Sequence, residues 1–178
     1  MTWSPIPSAL ASSIWGSSAT DVSMATLLKS FLHNFGVVLV GFALAYLGAI
    51  VDPILGFRAF TSTSVTAPGW LLVAVGFLLR VWATFYFYRH NMRVISLEPR
   101  SALITCGPYQ FSRNPLYLGG NVFIFFGAAL VLGSPTALFA TAIHLPLMDH
   151  FIRREEEQLE RTFGQEWQSY KKRVRRWL

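Results

Sequence analysis

The sequence predicts an all-α integral membrane fold of about four transmembrane helices, the last two a tight hairpin, followed by a C-terminal amphipathic interfacial helix. Three observations carry this reading. Of 178 residues, 53% are hydrophobic and only 13% are charged, a balance outside the habit of soluble domains. The apolar residues gather into blocks near the roughly 20 helical residues needed to cross a bilayer core of about 30 Å. The cations flank those blocks instead of interrupting them.

The length and the lack of a long polar linker predict a single domain over 1–178. Residues 1–30 form a loosely held N-terminal segment without the pattern of a cleaved signal peptide. The first span, 31–51, carries no formal charge and has His33 near its start. The second, 69–88, holds one charge, Arg80, near its middle. The third, 116–133, is uncharged. A fourth, 135–152, is more polar, with His144, Pro146, Asp149 and His150, and the Gly133-Ser134-Pro135 break sets it off as the return arm of a hairpin.

The net charge of +6 invites a nucleic-acid reading, which the placement of the cations opposes. Of the 15 Lys and Arg, four (Arg89, Arg93, Arg100, Arg113) lie between spans two and three, and eight follow span four. With four spans both groups fall on one side. The positive-inside pattern then puts both termini in the cytoplasm. Membrane lipids, not nucleic acid, are the expected surroundings.

No G-x-G-x-x-G follows a strand pattern and no metal-ligand helix appears, so neither a soluble dinucleotide site nor a metal site is expected. Cys106 is the sole cysteine, which leaves no internal disulfide; its expected role is that of a small packing residue. Arg80, His144, Asp149 and His150 are ionisable groups inside spans and are candidates for function. Arg80 is expected to pair with one of those three or to reach an interface along its stem.

Two segments stand apart from the spans. Residues 101–120, SALITCGPYQFSRNPLYLGG, place a Gly107-Pro108 turn before an Asn114-Pro115 helix start. Unpaired N–H groups, the helix dipole and Arg113 would favour a carboxylate or phosphate there. An interfacial turn with Arg113 on lipid phosphates explains the same residues. In 153–178, a predicted cytoplasmic helix, Leu159, Phe163, Trp167, Tyr170, Val174 and Trp177 recur at about helical spacing, and Gly164 can break or cap it. Lys171 to Arg176 would ordinarily face anionic headgroups. Glu155, Glu156 and Glu157 form an acidic run beside Arg153 and Arg154, either solvated or ready to accept hydrogen bonds from a ligand's amine or hydroxyls.

Read together, these elements resemble the isoprenylcysteine carboxyl methyltransferase and phospholipid methyltransferase superfamily. The matching pieces, in order, are Leu103-Ile104-Thr105, Gly107-Pro108-Tyr109, Arg113-Asn114-Pro115 with Tyr117, Glu155-Glu156, Leu159, Phe163-Gly164, Trp167 with Tyr170, and Val174-Arg175-Arg176-Trp177. The resemblance covers about residues 100–178 and implies methyl transfer from S-adenosylmethionine to a lipid-like or small apolar acceptor entering from the bilayer. It implies cofactor contacts from Leu103, Ile104, Tyr109, Asn114, Pro115, Tyr117 and a Glu of the Glu155-Glu156 pair, with Glu156 the principal one. Arg153 or Arg154 would face the acceptor. Ser101 and Asn114 stand where many members have histidine, which supplies a second reading: a non-catalytic subunit of a larger membrane complex.

Overall fold

The computed structural model describes residues 24–90 and 102–178. Ser101, Arg93, Arg100 and most of the N-terminal segment lie outside them. The described residues fold into helices with no strand among them. Helix α1 is Met24–Val51, α2 is Thr63–Arg89, α3 is Pro115–Leu132 and α4 is Pro135–Arg173. The first three, of 28, 27 and 18 residues, are long and apolar enough to cross a membrane. Helices α1 and α2 begin before the apolar runs 31–51 and 69–88, helical hydrogen bonding extending back through residues 24–30 and 63–68.

Two backbone-to-backbone approaches hold the bundle. A Cβ added at Gly127 would stand 2.7 Å from the Gly69 carbonyl oxygen, and one at Gly119 would stand 2.8 Å from that of Gly76. Helices α2 and α3 therefore touch main chain to main chain. In lipid, where apolar burial between helices gains little, small residues are what permit such packing.

The hairpin reads as its sequence suggests. Gly133 ends α3 in the left-handed region at φ 60°, and the Ser134 hydroxyl caps α4 by accepting from Ala137 N at 3.1 Å. Pro135 occupies the first turn, where no N–H is needed. A second cap comes from the α1 end: Asp52 Oδ1 accepts from Thr136 N at 2.8 Å, and Phe60 N donates to Gly133 O. Burial pushes the Asp52 carboxyl up, but hydrogen bonds from Thr136 and Ser134 outweigh this and hold it below its ordinary value.

Residues 135–152 run on without a break into 153–163, where the sequence suggests a span followed by a separate helix. Nothing between them breaks the hydrogen-bond ladder, and Pro146 is accommodated within it. The interruption comes at Gly164, with φ 47° and ψ −115°. The helix stops at Arg173, so 174–178 is not helical, contrary to the expectation of a helix over 153–178. Leu159, Trp167 and Tyr170 are buried with Leu103, Phe163 and Val174 packed against them. The apolar face of the last helix is thus covered by the chain's own 103–109 region.

Candidate functional site

The two motif segments meet at the end of the bundle opposite the hairpin turn. Gly107–Gln110 forms a short 3-10 turn, anchored by a hydrogen bond from the Tyr170 hydroxyl to Tyr109 O at 2.7 Å. Tyr109 and Ile104 are buried with Ala83, Phe87 and Leu116. Leu103 instead packs on the Trp167 and Tyr170 side. Asn114 lies outside helical geometry at φ −130°, ψ 50°, as a residue before proline is biased to do. Pro115 then opens α3.

Glu156, only 5% exposed, is the centre of the polar cluster. Its Oε1 lies 3.3 Å from Arg113 Nη1 and accepts from Asn114 Nδ2 at 3.4 Å. Its Oε2 accepts from Arg176 Nη2 at 2.6 Å and Nε at 3.1 Å. The Tyr117 hydroxyl donates to Glu155 Oε2 at 2.9 Å. The Arg113 guanidinium lies over the Trp167 ring, 5.6 Å from its centroid, and its Nε is buried without a hydrogen-bond partner.

The C-terminal segment crosses this cluster as a strap. Arg113 N donates to Arg175 O at 3.0 Å, while Ser112 Oγ and Asn114 Nδ2 donate to Arg176 O at 3.2 and 3.4 Å. Arg176 also reaches Asp149 Oδ1 at 3.3 Å, and Arg153 Nε reaches Asp149 Oδ2 at 2.7 Å. Hydrogen bonding to Glu156, opposed by burial, holds the Arg176 guanidinium above its ordinary value. Arg176 therefore turns inward to carboxylates, where its place in a basic run suggests headgroups.

Most of the sequence-derived residues converge here: Tyr109, Arg113, Asn114, Pro115, Tyr117, Glu155 and Glu156, with Leu103 and Ile104 in the wall behind. Arg153 and Arg154 are exposed on α4, Arg153 being tied to Asp149. Cys106 is exposed, not the packing residue expected, because it precedes the turn that carries Pro108 and Tyr109 inward. Arg80 bonds none of His144, Asp149 and His150; its Nε donates to Asn34 Oδ1 at 2.8 Å and its Nη1 to Leu116 O at 2.6 Å. The i, i+4 pairs Ser30/Asn34 and Arg80/Thr84 in otherwise apolar helices were the available signal for that cluster.

A cavity of about 260 Å³ lies elsewhere, among α1, α3 and α4, with Leu44, Phe125, Thr141 and His144 in its lining. It includes none of the motif residues. His144 Nε2 lies 3.1 Å from Asn121 Oδ1 at its edge.

The family model described as phospholipid methyltransferase matches residues 65–166, from the first turn of α2 to ten residues past the Glu155-Glu156 pair. The chain belongs to the phospholipid methyltransferase family. That family match takes in Arg80, the 103–117 loop and the acidic pair, and leaves α1 and the strap outside. A Haemophilus influenzae protein described as uncharacterized is 44% identical over 50 residues, covering 28% of this chain and 79% of that protein. No solved structure matches the chain. Phospholipid methyltransferase family membership and three membrane-length apolar helices make this a membrane protein of methyltransferase type.

Proposed function

We propose that the chain is a membrane-embedded, S-adenosylmethionine-dependent methyltransferase acting on a lipid-like or small apolar acceptor. It forms a single domain of four spans, with residues 135–152 the fourth and both termini cytoplasmic. The observation that carries the reading is the meeting of Arg113, Asn114 and Tyr117 with Glu155 and Glu156, across about 40 residues of sequence, within a family match for methyl transfer. The cofactor's groups fit the residues there. Glu155 and Glu156 offer carboxylates to an ammonium group or ribose hydroxyls. Arg113 Nε, buried and without a hydrogen-bond partner, suits a carboxylate. Leu103, Ile104, Tyr109 and Pro115 supply apolar wall. Arg153 and Arg154, exposed beside the acidic pair, face the acceptor.

When bound, the cofactor supplies a methyl group already activated on a sulfonium, so the protein's contribution is mainly proximity and orientation. The test is a titration of S-adenosylhomocysteine into the purified chain in detergent. Saturable binding by the wild type, weakened at least tenfold in Glu156→Gln, is expected. Unchanged affinity in the variant overturns the site. No binding by the wild type overturns the cofactor assignment and favours a non-catalytic subunit of a larger membrane complex.

A further inference from the structure

Arg80 stands within an apolar helix, 8% exposed, and among the described residues no carboxylate forms an ion pair with it. A charge so placed in a membrane helix is costly and is kept where it performs a task. Its surroundings are built to aim it. Nε donates to Asn34 Oδ1, and Asn34 is itself fixed by donating to Thr84 Oγ1 and Ser30 O, each at 2.8 Å. Ser30 Oγ donates to Val81 O at 2.9 Å and is in close contact with Thr84 Oγ1. Thr84 returns to Arg80 O at 2.8 Å. Helices α1 and α2 thus dedicate Ser30, Asn34 and Thr84 to holding one guanidinium still.

What that guanidinium holds is the start of α3. Nη1 donates to Leu116 O at 2.6 Å, the carbonyl between Pro115 and Tyr117. Directly beyond, residues Leu118–Ile124 form a π-helical stretch, whose shifted hydrogen-bond ladder is common at functional sites. Gly119 and Gly120 leave room for the Arg80 side chain: a Cβ at Gly119 would come within 2.8 Å of Arg80 Cγ, and one at Gly120 within 2.7 Å of Nη1.

We propose that Arg80 is a positioning residue for methyl transfer, acting through the Leu116 carbonyl to set Asn114, Pro115 and Tyr117 against Glu155 and Glu156. The proposal rests on the methyltransferase reading for its consequence, not for its geometry. Arginine serves because its planar fork addresses Asn34 Oδ1 and Leu116 O at once from fixed directions; a lysine ammonium has no such fork.

The experiment compares the full chain with Arg80→Met and Arg80→Lys in detergent. It measures the unfolding midpoint, the dissociation constant for S-adenosylhomocysteine, and the mobility of a spin label on Cys106, the sole and exposed cysteine. Arg80→Met is expected to weaken cofactor-product binding about tenfold or more and to loosen the label, with part of both effects restored in Arg80→Lys. Parental affinity and parental label mobility in a folded Arg80→Met overturn the proposal, as does a loss of affinity only in step with a falling midpoint. Should the methionine variant not fold, Arg80→Lys decides alone, a mobile label with a near-parental midpoint supporting the proposal and an unmoved label overturning it. If the wild type binds no S-adenosylhomocysteine, the functional reading fails while the label still decides the role of Arg80.

Discussion

The Tyr117 hydroxyl donates to Glu155 Oε2 at 2.9 Å, across 38 residues of sequence. This one bond ties the first turn of α3 to the acidic run on α4. Hydrogen bonds to charged groups contribute about 1.5–3 kcal/mol, so Tyr117→Phe should weaken S-adenosylhomocysteine roughly tenfold by titration. An unchanged constant would remove Tyr117 from the site.

Glu156 balances two arginines, which changes what its removal does. Glu156→Ala leaves Arg113 and Arg176 facing each other without the carboxylate between them, and breaking a buried pair this way typically costs about 3–5 kcal/mol. The alanine variant should therefore lose stability as well as binding. A double-mutant cycle with Arg176→Met should be strongly non-additive. Additive losses of unfolding free energy would show that the two side chains act independently.

Asp52 links folding to pH with a definite sign. Its carboxyl is held below the ordinary value, so its contribution is complete above the unfolded pKa of about 4 and is lost as pH falls through the lower folded value. Unfolding midpoints measured from neutral pH into acid should fall more steeply for the wild type than for Asp52→Asn. At neutral pH, Asp52→Ala should cost about 1 kcal/mol, the usual range for a lost helix cap. Parallel pH curves would rule out this linkage.

Gly164 offers a test of backbone strain alone. A Cβ there meets nothing within 4 Å, yet φ is +47°. Gly164→Ala should destabilise by about 1–3 kcal/mol without steric conflict. A neutral result in thermal unfolding would mean that the bend relaxes into ordinary helix at no cost.

Much of the fold was legible because lipid imposes a simple rule: long uncharged runs such as 31–51 must be helices that satisfy their own backbone. Gly133-Ser134-Pro135 announced its turn through local chemistry alone. The motif residues around Asn114 and Glu156 were legible as a set. What stayed hidden depends on tertiary partners. Arg80 bonds a neutral amide from α1 and a main-chain carbonyl, and no side-chain pattern advertises a carbonyl. Arg176 sits in a basic run where headgroup contact and an inward ion pair have the same sequence. Cys106 turns outward because the following turn spends its burial on Pro108 and Tyr109.

The far end of the α3–α4 hairpin is pinned by Asp52 and Phe60 at Thr136 and Gly133, while the polar cluster joins the other end. The pair is built like tongs. Over the roughly 27 Å that 18 helical residues span, a splay of about 5° at the pinned end moves the tips by roughly 2 Å, the scale on which hydrogen bonds such as that of Tyr117 to Glu155 are made and broken. A small change of angle at the pinned end is thereby magnified into a rupture of contacts at the tips.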